Sequence, residues 1–542
     1  MRQSQSAHWR IDVKVGLWLI LSGAMQALSM AWPFQGGPAG NSQGWLQCVS
    51  FVVFAWHLSR SQSARQAVTK AWLFSFVWLL GCIWWLFISM HRYGGLAAPL
   101  AAIAVALLAA GLALIYAMAG GIYFYICHPS LGALAHATAF AATWTLAELV
   151  RGTLWTGFPW GAIGYAHVDS VLRHWASWVG VYGICAIAAF IAMALAHQGR
   201  RKRTTTRETQ MAIILVALAM AYAGWISPSR DGQAPNTSAQ PLHVTLLQGN
   251  IAQDLKFGEG VNLALQSYRD GLLSSVSDLT VTPETAIPLI QQQMPERYWR
   301  ELEAHFSKGQ QAALVGLPAA VRSEQGQLLY SNSAVALMPQ QTSTATASYK
   351  YDKQHLVPFG EFVPPFFQWF VRMMNIPLGD FTRGDVAQPS LLFKGERIAP
   401  NICYEDLFGE ELAQSFSRAG QEPTILVNLS NIAWFGDTVA IDQHLNISRM
   451  RALELNRPML RATNTGATAI INAQGVVTHR LPSGIQGALT AEVYGVHGPA
   501  TPYAQWVSVL GLWPLAGLAV FLLLFIARMS YGARHGQRRF GP

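Results

Sequence analysis

Three polar residues stand at the ends of apolar, strand-like runs, and their types suit nucleophilic chemistry. Glu284 ends the run DLTVTPE, Lys353 lies in YKYDKQHLVPFGEF, and Cys403 ends RIAPNIC. A cysteine reacts as the thiolate, a nearby lysine lowers the pKa of the thiol, and a carboxylate can carry the proton. Lysine N–H groups can also stabilise the oxyanion of a tetrahedral intermediate. Taken singly, each residue is more often core or surface, so this chemistry requires that the strand ends meet in one crevice.

Other common catalytic patterns are absent from the sequence. It contains no phosphate loop of the type GxxxxGK[ST] and no HExxH zinc pair. It also has no CxxC pair, so neither a zinc knuckle nor a redox dithiol is expected. His355 and His444 are interpreted as structural hydrogen-bonding residues. These patterns therefore give no reason to expect a metal ion.

The composition is that of a membrane protein. Of the 542 residues, 52% are hydrophobic and only 12% are charged, about half the charged fraction of a typical soluble domain. Residues 230–503 hold 19 Lys/Arg against 24 Asp/Glu, whereas the rest of the chain holds 18 against 4. The basic excess therefore surrounds the apolar segments, where membrane topology explains it. This distribution argues against a nucleic-acid-binding protein.

Eight apolar segments are candidate membrane helices, since a bilayer core of about 30 Å requires about 20 apolar residues. They are Val15–Trp32, Gly44–Leu58, Ala71–Met90, Leu96–Cys127, Leu131–Leu149, Trp175–Ala196, Met211–Ile226 and Trp506–Ala527. With the N-terminus inside, the cytoplasmic pieces hold fifteen Lys/Arg and the short outer loops hold three. Both termini are therefore predicted to be cytoplasmic. The polar region after the seventh span would then lie outside the inner face, which in a bacterium is the periplasm.

The polar region is predicted to form a separate α/β domain. A linker rich in turn-forming residues, 228–241, precedes it. Short β-rich runs then alternate with helical stretches, among them the amphipathic helix Asp442–Asn456. The predicted strands are His243–Gln248, Asp278–Thr282, Ala312–Leu317, Ala334–Met338, Ile398–Ile402 and Thr424–Leu429. The predicted domains are residues 1–227 with seven spans, 228–504 with the α/β domain, and 505–542 with the eighth span and a basic tail.

Several strings in the sequence resemble a known family. PETAIP, YDKQHLVPFGEFVP and NICYEDLFGEE are similar to the three active-site segments of the nitrilase, or carbon–nitrogen hydrolase, superfamily. HLVPFGEFVP, TGFPWGAIGYA, QGNIAQDLKF, LSNIAWFGD and RMRALELNRPMLRATNTGATAII more specifically resemble segments of the apolipoprotein N-acyltransferases. The resemblance implies a polytopic α-helical membrane domain of eight spans plus a periplasmic nitrilase-like α/β domain, an αββα sandwich.

The resemblance also implies a role for each matching residue. Glu284 would be the general base, Lys353 the oxyanion stabiliser and Cys403 the nucleophile. Supporting roles would fall to Glu361, Tyr404 and Glu405. Apart from the resemblance, Phe257, Phe366, Phe367, Trp369 and Trp434 are candidates for contact with the lipid substrates. Two positions depart from the family pattern: Phe257 stands where a Trp is common, and Ile432 where an acidic residue is common. The apolar run 362–374 fits either a buried helix or a lid or arm at the membrane surface, and the lid is favoured because the neighbouring site would handle lipid.

The implied reaction transfers a fatty acyl chain from a membrane phospholipid to the N-terminal amine of a diacylglyceryl-cysteine apolipoprotein. It would proceed through a thioester on Cys403 with ping-pong kinetics, at the bacterial inner membrane and without a cofactor. Two other readings remain open from the residues alone. One is a membrane-tethered amidase or other carbon–nitrogen hydrolase with the same triad, and the other is a transporter with a periplasmic sensing domain. A catalytically dead scaffold is disfavoured because all three triad residue types are present.

Overall fold

The computed structural model describes residues 11–34, 40–197, 237–255, 258–322, 325–339, 349–365, 367–369 and 381–539. The chain divides into two compact units. The first holds the residues up to Trp84, Ala102–Ser227, and Leu510 onward, and the second holds Trp85–Ala101 and Pro228–Val509. The second unit therefore includes a short segment, Trp85–Ala101, from the part of the sequence assigned above to the membrane region.

Long apolar helices precede and follow a strand-rich region in the sequence. The helices are α1 Val13–Met30, α2 Gly44–Ser59, α3 Ala64–Ile83, α4 Ala98–Ile126, α5 Ala133–Thr153, α6 Ala176–His197, α7 Gly260–Ser274, α8 Glu296–Lys308, α9 Ala440–Leu455, α10 Pro502–Leu510 and α11 Trp513–Arg539. The strands are β1 Leu242–Gln248, β2 Leu279–Val281, β3 Ala312–Arg322, β4 Leu328–Leu337, β5 Lys350–Asp352, β6 Leu391–Phe393, β7 Glu396–Ile402, β8 Ile425–Ser430, β9 Met459–Thr463, β10 Ala469–Ile471, β11 Val477–Arg480 and β12 Gly487–Val493. Short helical turns complete the described chain.

Five helical segments in the described ranges are long and apolar enough to cross a membrane, with mean hydropathies from 1.4 to 2.5. They are Val13–Met30, Ala64–Ile83, Ala98–Ile126, Val171–His197 and Trp513–His535. The predicted second span forms the shorter apolar helix α2, and the predicted fifth forms α5. The predicted seventh span, Met211–Ile226, lies outside the described residues. These helices fit a multi-pass membrane protein, and the number eight stays a prediction.

Two predicted spans have the wrong limits. The third, Ala71–Met90, begins earlier and ends at Ile83, because the chain from Trp85 onward packs with the second unit. The eighth, Trp506–Ala527, is divided between α10 and α11. Gly511 between them has φ 57°, a left-handed conformation that ends a helix and that glycine adopts without strain. The long apolar helix therefore begins only at Trp513.

The second unit contains two six-stranded mixed sheets. Their strand orders are β12-β1-β2-β3-β4-β5 and β11-β10-β9-β8-β7-β6. In the first sheet β1, β2 and β3 are parallel, and in the second β7, β8 and β9 are parallel. All six predicted strands are found, as is the predicted amphipathic helix, here α9. The parallel strands bring their carboxyl ends to one edge of each sheet, where the polar residues lie.

The alternation of side chains along each strand explains how the layers pack. Leu246 of β1 and Val427 of β8 belong to one apolar core between the sheets. Leu247, the next residue of β1, instead joins a second core with Leu265 of α7 and Leu302 of α8. These two helices therefore cover the outer face of the first sheet. On β9 of the second sheet the alternation sends Leu460 inward and Arg461 toward α9.

Candidate active site

The structure brings Glu284, Lys353 and Cys403 together, each just beyond the carboxyl end of a strand. Glu284 follows β2, Lys353 follows β5 and Cys403 follows β7. The Lys353 ammonium donates a hydrogen bond to Oε1 of Glu284 at 3.1 Å, and the charges of both residues act on the Cys403 thiol. Because β2 and β5 belong to the first sheet and β7 to the second, the cluster is built from both sheets.

Two further residues complete the hydrogen bonding around Lys353. Glu361 Oε1 accepts a hydrogen bond from Lys353 Nζ at 2.9 Å, and Glu361 Oε2 accepts one from the backbone N–H of Val357 at 2.8 Å. The side-chain amide of Asn332 donates to both carboxylates, at 2.8 Å to Glu284 and 2.7 Å to Glu361. Lysine, both glutamates and Asn332 are all buried. Glu361 thus lies in the cluster as the sequence predicts, whereas Asn332 is a site residue that sequence reasoning missed.

The carboxylates keep Lys353 charged. Burial alone would lower the pKa of its ammonium, but Glu284 and Glu361 outweigh that effect and raise the pKa well above its ordinary value. Lys353 is therefore a permanent cation and N–H donor at neutral pH. A fixed cation of this kind can stabilise negative charge that develops on a reacting oxygen.

Lys353 lowers the pKa of the Cys403 thiol, as the sequence analysis expects, but burial has the larger and opposite effect. Burial of the thiol, with a further contribution from Glu284, raises its pKa to about 12. Lys353 and the hydrogen bonds from Ser430 and the Asn431 backbone act in the opposite direction but do not prevail. The hydroxyl of Ser430 lies 3.4 Å from the sulfur. The thiol must therefore lose its proton to a base during the reaction, and Glu284 is the neighbouring carboxylate that can accept it.

The backbone of Cys403 is held in an unusual conformation. Its φ is 53°, in the left-handed region that non-glycine residues enter at a cost of about 1–3 kcal/mol. Cys403 directly follows β7 and is the first residue of a short helical turn, Cys403–Leu407. Two side chains fix the Cys403 carbonyl oxygen, Asn428 Nδ2 at 3.2 Å and His444 Nε2 at 3.3 Å. These contacts fix the backbone that carries the thiol.

Tyr404 and Glu405, the pair that follows the nucleophile, have structural contacts. Glu405 is fully buried, and its Oε1 accepts hydrogen bonds from the backbone N–H groups of Gln354 at 2.6 Å and His355 at 3.1 Å. Its other oxygen accepts from the backbone N–H of Ile402 at 2.5 Å. Burial raises the pKa of Glu405 to about 7. Glu405 thus ties the loop after Lys353 to the strand before Cys403, while Tyr404 is buried and packs beside His355.

A buried polar network lies behind the nucleophile. The Arg461 guanidinium donates to His444 Nδ1 at 2.7 Å, to Asp406 Oδ2 at 3.0 Å and to Asn428 Oδ1 at 3.1 Å. Because arginine only donates, His444 accepts at Nδ1 and carries its proton on Nε2, which donates to Asp406 Oδ1 at 2.7 Å. His444 is therefore a neutral structural residue, as the sequence analysis expects. The network therefore fixes Asn428 and His444, the two side chains that contact the Cys403 carbonyl oxygen.

Asp406→Asn is expected to lower the free energy of unfolding by about 3–5 kcal/mol, because it leaves the buried Arg461 without its counter-charge. Burial would raise the Asp406 pKa, but His444 and Arg461 outweigh burial and hold it below its ordinary value. Stabilisation from Asp406 is therefore complete above the ordinary aspartate range and is lost as pH falls through the depressed pKa. Unfolding measured against pH should show this acid-dependent part in the unsubstituted protein and not in the variant.

The control is Asp442→Asn, which breaks the partly exposed ion pair with Arg480 at 2.8 Å. Such exposed pairs contribute at most about 1 kcal/mol. Equal destabilisation by the two substitutions would contradict the assignment of Asp406 to a buried network.

The structure describes only some of the residues that are expected to contact lipid. Phe257, Phe366 and residues 370–374 of the predicted lid lie outside the described residues. Phe367 and Trp369 are 38% and 61% exposed. The lid therefore stays a prediction.

Trp434 and Ile432 lie on the turn that follows β8. Trp434 is half-buried, with its ring centroid 5.5 Å from that of Tyr93 in the segment Trp85–Ala101. Ile432 is fully buried, so the position that is commonly acidic in the family serves here as apolar core. This turn begins one residue after Asn431, whose backbone N–H donates to Glu284 Oε2 at 3.0 Å.

Comparisons with known proteins agree on both parts of the chain. Residues 22–194 match the family described as the apolipoprotein N-acyltransferase N-terminal domain, and residues 243–495 match the carbon–nitrogen hydrolase family. An apolipoprotein N-acyltransferase of Verminephrobacter eiseniae is 49% identical, over 94% of this chain and 95% of its own. Apolipoprotein N-acyltransferases of Ralstonia nicotianae and Bordetella bronchiseptica are 43% and 41% identical, each over 91% of this chain and over 91% and 93% of their own.

Proposed function

The chain belongs to the apolipoprotein N-acyltransferase family, and on that premise we propose that it transfers a fatty acyl chain from a membrane phospholipid to a diacylglyceryl-cysteine lipoprotein. The acceptor is the N-terminal α-amine, and the product is an amide that completes lipoprotein maturation. The observation that carries the proposal is the buried Lys353 ammonium, 3.1 Å from Glu284 and 2.9 Å from Glu361, beside the Cys403 thiol. This cluster supplies a nucleophile, a base and an oxyanion donor in one place.

In the first half-reaction Glu284 accepts the Cys403 proton as the sulfur attacks the ester carbonyl carbon of the phospholipid. A carbon–sulfur bond forms, and the carbonyl oxygen becomes an oxyanion facing the Lys353 ammonium. Collapse of this intermediate breaks the carbon–oxygen ester bond. Glu284 returns its proton to the departing oxygen, so that lysophospholipid leaves and a thioester remains on Cys403.

In the second half-reaction the α-amine of the lipoprotein attacks the thioester carbonyl. Glu284 accepts a proton from the amine nitrogen, and the oxyanion again faces Lys353. The carbon–sulfur bond then breaks, and the thiolate recovers the proton from Glu284 as the amide leaves. Because an amide is more stable than a thioester, the transfer proceeds without ATP. Membrane embedding supplies proximity, since it keeps both lipid substrates at the depth of the site.

Intact-mass measurement tests this proposal directly. Purified protein mixed with phospholipid vesicles should gain the mass of one acyl chain, located on the Cys403 peptide. Adding a diacylglyceryl-cysteine peptide should remove that mass and yield an N-acylated peptide. A hydrolase of the same superfamily would instead release free fatty acid at the same rate with or without the peptide, which would overturn the transferase proposal. Absence of any lipid-derived adduct on Cys403 would overturn the thioester route.

The proposed enzyme spans the bacterial inner membrane eight times, with residues 1–227 and 505–542 forming the membrane part and residues 228–504 the periplasmic catalytic domain. The fifteen-to-three distribution of Lys/Arg supports this orientation. Cysteine labelling in intact cells should find single cysteines introduced near Arg201 and Arg538 protected in the cytoplasm and one introduced near Gly326 accessible from the periplasm. A cytoplasmic Gly326 would separate the site from periplasmic lipoproteins and overturn the orientation.

A further inference from the structure

The segment Trp85–Ala101, which runs from the end of α3 into the first turn of α4, belongs to the same compact unit as the catalytic cluster. It begins with a short helical turn, Leu86–Ile88, and continues into the wider turn Ser89–Tyr93. The mechanism proposed above makes no use of this segment. Its contacts within the unit nevertheless converge on two elements that border the site, the turn Ile432–Phe435 and the start of α9.

Trp85 makes the central contacts of this segment. Its side chain is 1% exposed, and its ring centroid lies 4.2 Å from that of Phe435. The indole N–H donates a hydrogen bond to Oε1 of Gln443 at 3.1 Å, and Gln443 is itself buried. Aromatic contacts and hydrogen bonds between buried side chains depend on direction as well as distance. They therefore fix the positions of Trp85, Phe435 and Gln443 relative to one another more strictly than apolar packing alone.

Each partner of Trp85 leads to a catalytic group within a few residues. Phe435 ends the turn that starts after Asn431, and the Asn431 backbone N–H donates to Oε2 of Glu284 at 3.0 Å. Gln443 directly precedes His444 on α9. His444 Nε2 lies 3.3 Å from the carbonyl oxygen of Cys403. One side chain therefore contacts both the element that holds the base and the element that holds the nucleophile.

A second aromatic contact joins the same segment to the same turn. Tyr93, at the other end of the turn Ser89–Tyr93, packs edge-to-face against Trp434 with a centroid distance of 5.5 Å. Ile88 lies against Gly436, where an added Cβ would be 3.5 Å from the isoleucine side chain. The whole turn from Ile432 to Gly436 is therefore held against this segment.

We infer that Trp85 is a positioning residue for acyl transfer, acting through Phe435 and Gln443 on the alignment of Glu284 with Cys403. The inference rests on the proposed function for its acylation readout. Trp85 touches no reacting atom. Its effect arises because the turn after β8 and the start of α9 lie next to the groups that contact Glu284 and the Cys403 carbonyl oxygen. A displacement of about 1 Å between reacting groups can cost about 10²-fold in rate.

The test compares Trp85→Phe, which removes the indole N–H and keeps a ring, with Gln443→Leu and with the double substitution. Trp84→Phe is the matched control, since Trp84 is the neighbouring tryptophan and is 45% exposed. Three quantities are measured: single-turnover acylation of Cys403 from phosphatidylethanolamine vesicles, alkylation of Cys403 by iodoacetamide at one mildly alkaline pH, and the midpoint of thermal unfolding.

Each single substitution should slow acylation by about 10- to 100-fold. The double substitution should be no slower than the slower single one, because both remove the same hydrogen bond. Alkylation should also slow, since displacing the Asn431 backbone removes a group that stabilises the thiolate, while the charged groups that act on the thiol, Glu284, Lys353 and Arg461, are unchanged. Trp84→Phe should stay within about twofold of the unsubstituted protein.

Acylation at the unsubstituted rate in both single variants would overturn the inference, as would multiplicative losses in the double variant. A fall in the thermal midpoint with unchanged alkylation would also overturn it, since it would show that Trp85 only stabilises the fold. The alkylation comparison decides the matter even for a protein that takes up no acyl group. Failure of the proposed function and failure of this inference are therefore separable.

Discussion

Cys403→Ala is expected to abolish acyl transfer while leaving the protein folded in the membrane. The alanine has no sulfur to form a thioester, and loss of a nucleophile of this kind costs about 10⁶-fold in a covalent enzyme. The substitution should be mild for the fold, because the network that holds the Cys403 carbonyl uses backbone oxygen and not the thiol. Acylated lipopeptide measured by mass spectrometry over many turnovers is the readout, with the thermal unfolding midpoint as the check on folding.

Cys403→Ser should be inactive as well. A serine hydroxyl has a far higher pKa than a thiol, so Glu284 cannot deprotonate it at a useful rate. Cys48→Ala serves as the matched control, because Cys48 lies on α2 in the first unit and is not part of the site. Substantial turnover by Cys403→Ala would refute the thioester mechanism, and equal losses in Cys48→Ala would mean that the assay reports damage to the membrane part.

Glu284 and Cys403 could be predicted because each follows an apolar run that is a strand in the structure, whereas Lys353 follows β5, a short polar strand that was not predicted. β2 and residues 398–402 of β7 are buried, and their short-range pattern is strong enough to predict both the strand and its end. A polar residue directly after such a run must lie at a sheet edge. The meeting of Glu284 and Cys403 across two different sheets was supplied by the family resemblance and not by the pattern.

The supporting residues were harder to identify from the sequence, because their signal depends on pairing across the fold. Asn332 lies in the polar run Ser331–Ser333 of β4, a pattern typical of an exposed edge strand. In the structure Asn332 is buried and donates a hydrogen bond to Glu284. Arg461 lies on β9, where an arginine argues against a buried strand unless a counter-charge is known to face it. In both cases the compensating group is more than 40 residues away in the sequence.

The same limitation explains the segment Trp85–Ala101. The apolar residues at its start extend the pattern of α3, so hydropathy alone continues the third span to Met90. What removes them from that helix is packing with Phe435 and Gln443, which are separated from Trp85 by some 350 residues. Hydropathy indicates that a segment is buried and does not indicate what it is buried against.

Glu284→Gln is expected to slow acylation of Cys403 by about 10²- to 10⁴-fold, because the amide cannot accept the thiol proton. The same substitution should speed alkylation of Cys403 by iodoacetamide at a fixed pH. The negative charge of Glu284 contributes to the raised pKa of the thiol, so its removal lowers that pKa and increases the thiolate fraction. The two rates should therefore move in opposite directions, which a loss of folded structure would not produce.

Lys353 remains charged in this variant, because Glu361 still accepts a hydrogen bond from it at 2.9 Å, and the glutamine keeps an oxygen for Asn332. Lost acylation can then be assigned to proton transfer and not to collapse of the charge cluster. Glu301→Gln is the matched control: Glu301 pairs with Arg269 between α8 and α7, away from the site, and should acylate at the unsubstituted rate. Parallel slowing of acylation and alkylation in Glu284→Gln would show that the carboxylate shapes the site without serving as its base. Rapid acylation would exclude Glu284 as the base. The Cys403 thiol, whose pKa is about 12, would then have no identified proton acceptor.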